Sequence, residues 1–271
     1  MRTPPEAEIP APEFPPRLAW LNTAFMRMDR LLGRHAVLIE FWDFARVNSL
    51  RTLPYIQAWA DRYGDAGLTV IGVHSPGYSF GRDADTVARA VERLEIRHPV
   101  ALDPELEVWR LYGNRGWPGR YLFDRGGLLR YMHYGEGDYL DAELAIQECL
   151  LELDPELEPP APLEPLRPED APGVLLEPQT ADLALPGDRE RLELVRDWTD
   201  GPDYIEAADA GAAASFGFRA GGAFAVLSGA GLEPGLYETD GTVTAADPGL
   251  RLHGVQFTPL PPAGGGGRPA S

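Results

Sequence analysis

The chain has 271 residues, 44% of them hydrophobic and 24% charged, with a formal net charge of −18 at pH 7. This composition is typical of a globular protein, and the length exceeds what one core holds comfortably, so we expect two domains. Because so acidic a chain is repelled by nucleic acid and by anionic lipid, we expect neither as a partner. No run approaches the ~20 apolar residues of a membrane span, so we expect no membrane insertion.

The N-terminal residues 1–11 are dominated by proline and glutamate and are predicted to be a disordered segment. They contain no apolar stretch resembling a signal peptide. We therefore expect a cytoplasmic protein.

Short apolar runs alternate with helical patterns over residues 36–153. The runs predict strands at "AVLIEFW" (36–42), "LTVIGVHS" (68–75), "HPVALD" (98–103), "RYLFD" (120–124) and "LLRYMHY" (128–134), and the periodic stretches predict helices over 48–63, 83–95, 104–113 and 139–153. Alternation that ends in a hairpin and a helix predicts an α/β domain with a mixed central sheet and helices on both faces.

The only cysteine, Cys149, lies in the last of these helices. One cysteine cannot form an intramolecular disulfide, a C-x-x-C redox pair or a cysteine-rich metal site. Since Cys149 falls on the apolar side of the helix, we interpret it as a buried structural thiol.

A stretch rich in proline and glutamate, residues 154–173, predicts an extended linker. Short alternating or apolar runs separated by turns follow over residues 174–260 and predict a small all-β sandwich. The glycine-rich residues 261–271 are predicted to be a disordered tail.

The first domain, residues 12–153, resembles thioredoxin-like proteins of the TlpA/ResA/DipZ type, in the redoxin superfamily. The resemblance rests on "APEFP", "EFWDFARVNSLRTLPYIQAW", "LTVIGVHSP" and "YGNRGWPGRYLFDRGGLLRYMHYGEGDY", which occur in the family's order. It implies a thioredoxin-like fold and descent from thiol-disulfide oxidoreductases. The second domain weakly resembles the carbohydrate-binding-module-like domain of DipZ-type proteins, chiefly in "RDWTDGPDYIEAADAGAAASFGFRA".

In this family the turn after "FW" carries C-x-x-C at a helix N-terminus, where the helix dipole lowers the pKa of the first thiol. The two cysteine positions are occupied here by Arg46 and Ser49. Thiol–disulfide exchange needs one thiolate to attack and a second to resolve, so we expect no catalytic residue and no redox activity. Glu40 matches the family's buried acid beneath the thiols, and we interpret it as vestigial.

Arg46 places a cation at a helix N-terminus, which opposes the macrodipole at a cost of typically ~0.3–1 kcal/mol. Asp43, Glu40 or an anionic ligand that binds Arg46 would offset that cost. The alternative is that the side chain of Arg46 extends into water. The sequence alone does not choose among them.

The dipeptide Trp117–Pro118 matches the family's cis-proline loop, whose backbone pairs with extended peptide substrates in that family. The resemblance thus implies a candidate binding groove formed by Trp42, Phe44, Arg46, Trp117 and Pro118. Such an aromatic cluster is equally typical of a core. No histidine pair shows metal-ligand spacing, so neither a metal nor another cofactor is expected.

We interpret the chain as a redox-inactive thioredoxin-like protein that binds an extended peptide or protein at this groove. Two alternatives remain open. One is an enzyme that binds a thiol cofactor such as glutathione, with Arg46 on a carboxylate and Ser49 on the sulfur. The other is a structural module whose β-domain does the binding. The oligomeric state is not predicted.

Overall fold

A computed structural model describes residues 8–260 and divides the chain into two compact units, with the boundary in the sequence between Glu164 and Pro165. Of the two segments predicted to be disordered, 1–11 and 261–271, residues 1–7 and 261–271 lie outside the described residues. The end of the first segment is ordered, since Ala11 N donates to Gly127 O and Leu129 N donates to Ile9 O. Within the described part of the chain, no helix is long and apolar enough to cross a bilayer.

The first unit is the predicted α/β domain, a six-stranded mixed sheet with helices on both faces. The strand order is β1-β4-β3-β2-β5-β6, in which β2, β3 and β4 are parallel and the other neighbours are antiparallel. This is a thioredoxin-like arrangement. Its elements are β1 (Ala19–Leu21), α1 (Met28–Leu31), β2 (Ala36–Trp42), α2 (Val47–Tyr63), β3 (Leu68–His74), a 3-10 turn (Ser79–Arg82), α3 (Ala84–Arg93), β4 (Val100–Leu102), α4 (Glu107–Leu111), β5 (Gly119–Phe123), β6 (Leu129–Tyr134) and α5 (Tyr139–Leu153).

Strand β2 shows why the apolar run at 36–42 is continuous rather than alternating. Ala36 and Leu38 pack in a core shared with α2 and α5. Val37, Ile39 and Phe41 point the other way, into a core shared with α1 and α4. Because both faces of the strand are covered, every residue of β2 is buried, as the sequence pattern predicts for a central strand.

Two short elements, β1 and α1, are absent from the sequence prediction. Strand β1 has three residues and depends on antiparallel pairing with β4. Helix α1 is a single turn whose first N–H groups, on Met28 and Asp29, donate to the carboxylate of Glu13 at 2.8 and 3.1 Å. Elements this short have little periodicity of their own, so contacts distant in sequence create them.

The segment predicted as a linker, 154–173, is not free along its whole length. Residues 157–163 lie against the first unit, and their two leucines pack on the core that contains α5. Polar side chains of α5 also hold the backbone of this segment. These hydrogen bonds run from Gln147 Nε2 to Pro160 O (2.9 Å) and from Leu163 N to Glu143 Oε2 (2.9 Å). The prolines remove N–H donors, but they leave carbonyl oxygens that a helix side chain can bind.

The second unit is an all-β domain made of two antiparallel sheets. The larger sheet has the order β13-β12-β15-β10-β9, with β7 also paired to β15, and the smaller has the order β14-β11-β8. One core cluster draws on both sheets, including Ile205 and Leu252 from the larger and Ala214 and Val243 from the smaller, so the predicted sandwich is confirmed. The strands are β7 (Leu183–Ala184), β8 (Glu193–Val195), β9 (Trp198–Asp200), β10 (Ile205–Ala207), β11 (Ala213–Ser215), β12 (Gly222–Gly229), β13 (Leu232–Thr239), β14 (Thr242–Thr244) and β15 (Leu250–Thr258).

Candidate functional site

The turn between β2 and α2 is organised by the buried carboxylate of Asp43. Its Oδ1 accepts a hydrogen bond from Ala45 N at 2.9 Å, and its Oδ2 accepts one from Gly77 N at 2.7 Å. Asp43 therefore ties this turn to the loop that follows β3. Burial pushes the pKa of Asp43 upward, but His74, Arg46 and the Ala45 N–H outweigh burial and hold the pKa below its ordinary value.

Ser49, at the second predicted cysteine position, is part of the scaffold of this turn. It lies in the first turn of α2 and is only 1% exposed. Its Oγ accepts a hydrogen bond from Asp43 N at 3.2 Å. A hydroxyl buried and engaged in this way is not available to hydrogen-bond the sulfur of a cofactor, which argues against the glutathione alternative.

Arg46, at the first predicted cysteine position, packs against two aromatic rings. Its Cζ lies 4.6 Å from the centre of the Tyr78 ring and 4.7 Å from that of Trp117. Trp117 also packs on Trp109, with ring centres 4.4 Å apart, and Tyr78 stacks on Phe80 at 5.7 Å. We call these five residues the Arg46 stack. The interpretation that Arg46 extends into water is therefore wrong, because two cation–π contacts hold the guanidinium against the protein.

The alternative in which a local carboxylate pairs with Arg46 is found only as a longer-range interaction of charges. Among residues 8–260, Arg46 forms no ion pair, and its buried Nε has no hydrogen-bond partner. Asp43 interacts with Arg46 through its charge, not through a direct contact. The position of the guanidinium is thus set by the rings, while its N–H donors remain unused by the described residues.

Two members of the predicted groove, Trp42 and Phe44, belong to the core instead. Each is about 1% exposed. The Trp42 ring packs edge-on against His74 at 5.2 Å, and the Phe44 ring stacks on His74 at 5.3 Å. Trp42 ends a central strand that is covered on both faces, and Phe44 lies buried in the turn that follows, so neither can contact a bound peptide.

The cis-proline loop forms the remaining wall of the site. The peptide bond between Trp117 and Pro118 is cis, and Pro118 is buried while Trp117 is half-buried. Trp117 Nε1 donates to Ser75 O at 2.8 Å, which fixes the indole to the loop after β3. Arg46 and Trp117 are therefore the predicted groove residues that remain partly open to a ligand.

Glu40 occupies the buried position that the resemblance implies. In the sheet it is aligned with Arg120 on β5 and with Gly72 on β3. Burial raises the pKa of Glu40 to about 8, and the positive charge of Arg120 offsets part of that rise. Neither carboxyl oxygen has a hydrogen-bond partner among the described residues. Most of this acid is thus protonated at pH 7, and no thiol lies above it with which it could exchange a proton.

Cys149 is confirmed as a buried thiol. It is 2% exposed in the core between the sheet, α2 and α5. Burial, with a smaller contribution from Glu152, raises its pKa to about 12. Within residues 8–260 no group of three or more metal-ligating side chains is placed to hold a metal ion.

The sequence analysis missed Gly77, Tyr78 and two further members of the Arg46 stack, Phe80 and Trp109. Gly77, Tyr78 and Phe80 lie in "SPGYSF", which follows β3, and Trp109 lies in α4. Strands β2 and β3 are parallel neighbours, so the loops at their carboxyl ends meet at one edge of the sheet. That rule places residues 75–80 beside the Arg46 turn and could have identified them.

No family model matches the chain. The chain is 36% identical over 173 residues to protein DipZ of Mycobacterium tuberculosis, a match that covers 63% of this chain and 25% of DipZ. It therefore spans about a quarter of that relative's length. It is 34% identical over 139 residues to the protein SUPPRESSOR OF QUENCHING 1, chloroplastic, of Arabidopsis thaliana, covering 51% of this chain and 13% of that protein.

A shorter relative is matched over nearly its whole length. The thiol-disulfide oxidoreductase YkuV of Bacillus subtilis is 27% identical over 145 residues, which cover 54% of this chain and 97% of YkuV. Among solved structures, a thiol-disulfide isomerase from Corynebacterium glutamicum superposes with a TM-score of 0.47 at 21% identity, over 52% of this chain and 96% of that one. The fold assignment rests on the strand order, not on that superposition.

Proposed function

The chain is a thioredoxin-like protein of the redoxin type, and from this premise we propose that its first unit binds an extended peptide or protein without thiol–disulfide chemistry. The observation that carries the proposal is the Arg46 stack. At the position of the family's reactive thiol it has a guanidinium, which contacts Tyr78 of the loop after β3 and Trp117 of the cis-proline loop. The turn thus offers a surface for binding in place of a reactive group.

The chemistry of that surface suits binding. Arg46 and Trp117 are both half-buried, so each presents part of its side chain to solvent while the rest is fixed. Arginine and tryptophan are enriched among the residues that dominate binding energy at protein interfaces. Side chains already held in place lose little conformational entropy when a ligand arrives, which favours affinity.

Redox chemistry has no support from the residues at the turn. Arg46 cannot attack a disulfide, and Ser49 is buried in the hydrogen bonding of the turn. Cys149 is buried in a different part of the unit with a pKa of about 12, so it supplies almost no thiolate at neutral pH. We therefore expect reduction of insulin by dithiothreitol to proceed at the uncatalysed rate. Turnover well above that rate, persisting in a Cys149→Ala variant, would contradict this.

Selection from a random peptide library displayed on phage tests the binding itself. We expect wild-type protein to enrich peptides that a Trp117→Ala variant no longer retains. Phe25, an aromatic residue 42% exposed outside the Arg46 stack, provides the matched control, and Phe25→Ala should retain the same peptides. The melting temperature of each variant establishes that it is folded. Enriched peptides that bind Trp117→Ala undiminished, or that bind the separate β-unit, would favour the structural alternative.

A further inference from the structure

The guanidinium of Arg46 packs against two aromatic rings. Its Cζ lies 4.6 Å from the centre of the Tyr78 ring and 4.7 Å from the centre of the Trp117 ring. Stacking of this kind fixes the plane of the group but uses none of its N–H donors. The hydrogen-bonding edge is therefore held in one orientation before any ligand binds.

Gly77 determines where that edge lies. A Cβ atom built at residue 77 would fall 2.6 Å from Nη2 and 2.7 Å from Nε of Arg46. Only a glycine allows the guanidinium to approach the backbone this closely. The edge formed by Nε and Nη2 is thus packed against Gly77, so Nη1 and the outer N–H of Nη2 are the donors left at the end of the group.

The donors at that open end have no partner in the described chain. Arg46 forms no ion pair among residues 8–260, and Nε is buried without a hydrogen bond. Helix α2 has no acidic residue in its first turn, and Arg46 as its N-cap makes no side-chain capping bond. The positive end of the helix dipole therefore adds to the charge of Arg46, and the buried Asp43 carboxylate, which interacts with Arg46 through its charge alone, offsets part of the total.

We propose that the Arg46 stack binds a carboxylate of the peptide ligand, either its C-terminus or the side chain of Asp or Glu. This inference rests on the proposed function and names the chemical group recognised at the same surface. A planar guanidinium with a free Nη1–Nη2 end matches the geometry of a carboxylate, and charge-assisted bonds of this type are about twice as strong as neutral ones. The net charge of −18 opposes an anionic ligand at long range. At physiological salt the screening length is about 8 Å, so the short-range contact with Arg46 affects the affinity for a carboxylate more than the net charge does.

Three synthetic tetrapeptides test the proposal. The first, acetyl-Gly-Phe-Gly-Phe, has a free C-terminal carboxylate, the second is its C-terminal amide, and the third is the amide with Glu in place of the second Gly. Each is titrated into ¹⁵N-labelled protein while the Nε–H resonance of Arg46 and the indole N–H resonance of Trp117 are followed. We expect at least one carboxylate peptide to shift both resonances and to bind about tenfold or more tightly than the plain amide. The free acid and the Glu peptide distinguish the two sources of carboxylate.

Three variants separate recognition by Arg46 from general electrostatics. Arg46→Lys keeps the charge but loses the planar fork, and Gly77→Ala keeps Arg46 but pushes it out of its position. Both should remove the preference for carboxylate. Arg115→Gln removes an exposed cation from the loop before Trp117 and should leave the preference intact.

Equal affinity for all three peptides, absence of binding by any of them, or a preference that survives Arg46→Lys overturns the proposal. The proposed function is judged separately by the library selection. Peptides that need Trp117 but bind Arg46→Lys unchanged would preserve peptide binding and reject carboxylate recognition.

Discussion

Glu40 makes the stability of the first unit depend on pH. It is completely buried in the middle of β2, and its pKa rises from 4.5 to about 8 on folding, mainly because burial disfavours the charged form. Between these two pH values the folded protein holds a proton that the unfolded chain releases. The stabilising contribution is therefore fully present below about pH 4.5 and is lost as the pH rises through about 8.

Replacing Glu40 with Gln should remove this dependence. Glutamine has nearly the shape of a protonated glutamic acid and cannot ionise, so the variant should match the wild type below about pH 4.5 and exceed its stability near pH 9. A shift of this size corresponds to an upper limit of about 5 kcal/mol. Urea denaturation of both proteins from about pH 4 to pH 9 measures the difference in the free energy of unfolding, in which the titrations of all other groups cancel. Parallel curves for the two proteins would show that Glu40 keeps an ordinary pKa.

The N-terminus of α2 tests how much of the family's reactive site remains. In the double variant Arg46→Cys and Ser49→Cys, placed in a Cys149→Ala background, the first thiol gains the positive end of a 17-residue helix. We expect its pKa to fall below the reference of about 8.5, even though the ionised Asp43 nearby opposes that fall. Loss of the two ring contacts of Arg46 should destabilise the unit by about 1–2 kcal/mol.

The rate of iodoacetamide alkylation as a function of pH reports the pKa of the new thiol. Urea denaturation reports the stability, with the Cys149→Ala single variant as the reference. A thiol that titrates at or above the reference value, or a pair that forms no disulfide under mild oxidation, would indicate that the turn has moved away from its ancestral geometry. An unchanged stability would show that the Arg46 stack contributes nothing to the fold.

The docked part of the proline-rich segment limits where proteases can cut. Residues 157–163 are held by Glu143 and Gln147 of α5, so we expect a glutamate-specific protease to cut first at Glu164 or beyond, between the two units. Glu143→Ala removes the carboxylate that accepts from Leu163 N, and cutting should then extend to Glu156 and Glu158. Mass spectrometry of the early fragments distinguishes these patterns. Early cutting at Glu156 in the wild type would mean that the segment is undocked in solution.

Whether an element depends on local or on distant contacts explains how much of the fold the sequence could predict. Strands such as β2 and helices such as α5 carry their pattern within themselves, and the predicted bounds 36–42 and 139–153 agree with the structure. Strand β1, helix α1 and the docked 157–163 segment exist because of partners far along the chain. The site follows the same rule, since Arg46 and Ser49 lie in one motif whereas Tyr78 reaches Arg46 from another loop.

At the scale of the whole molecule, each unit has a hydrophobic core of its own. Ile56 is fully buried in a core of the first unit, and Ile205 is fully buried in the core of the second. Among residues 8–260, each core cluster consists of residues of one unit. We infer that the two units fold as separate cooperative blocks.

A pair of matched truncations of isoleucine tests that inference. Ile56→Ala and Ile205→Ala each remove the same atoms from a fully buried site, and each should lower the stability of its own unit by about 2–5 kcal/mol. Calorimetry of the full chain should show two transitions, with Ile56→Ala moving one of them and Ile205→Ala moving the other. The expressed fragments 8–164 and 165–260 should each reproduce one transition, which assigns it to a unit. If either variant moves both transitions together, or if neither fragment unfolds cooperatively, the units depend on each other and the chain folds as one block.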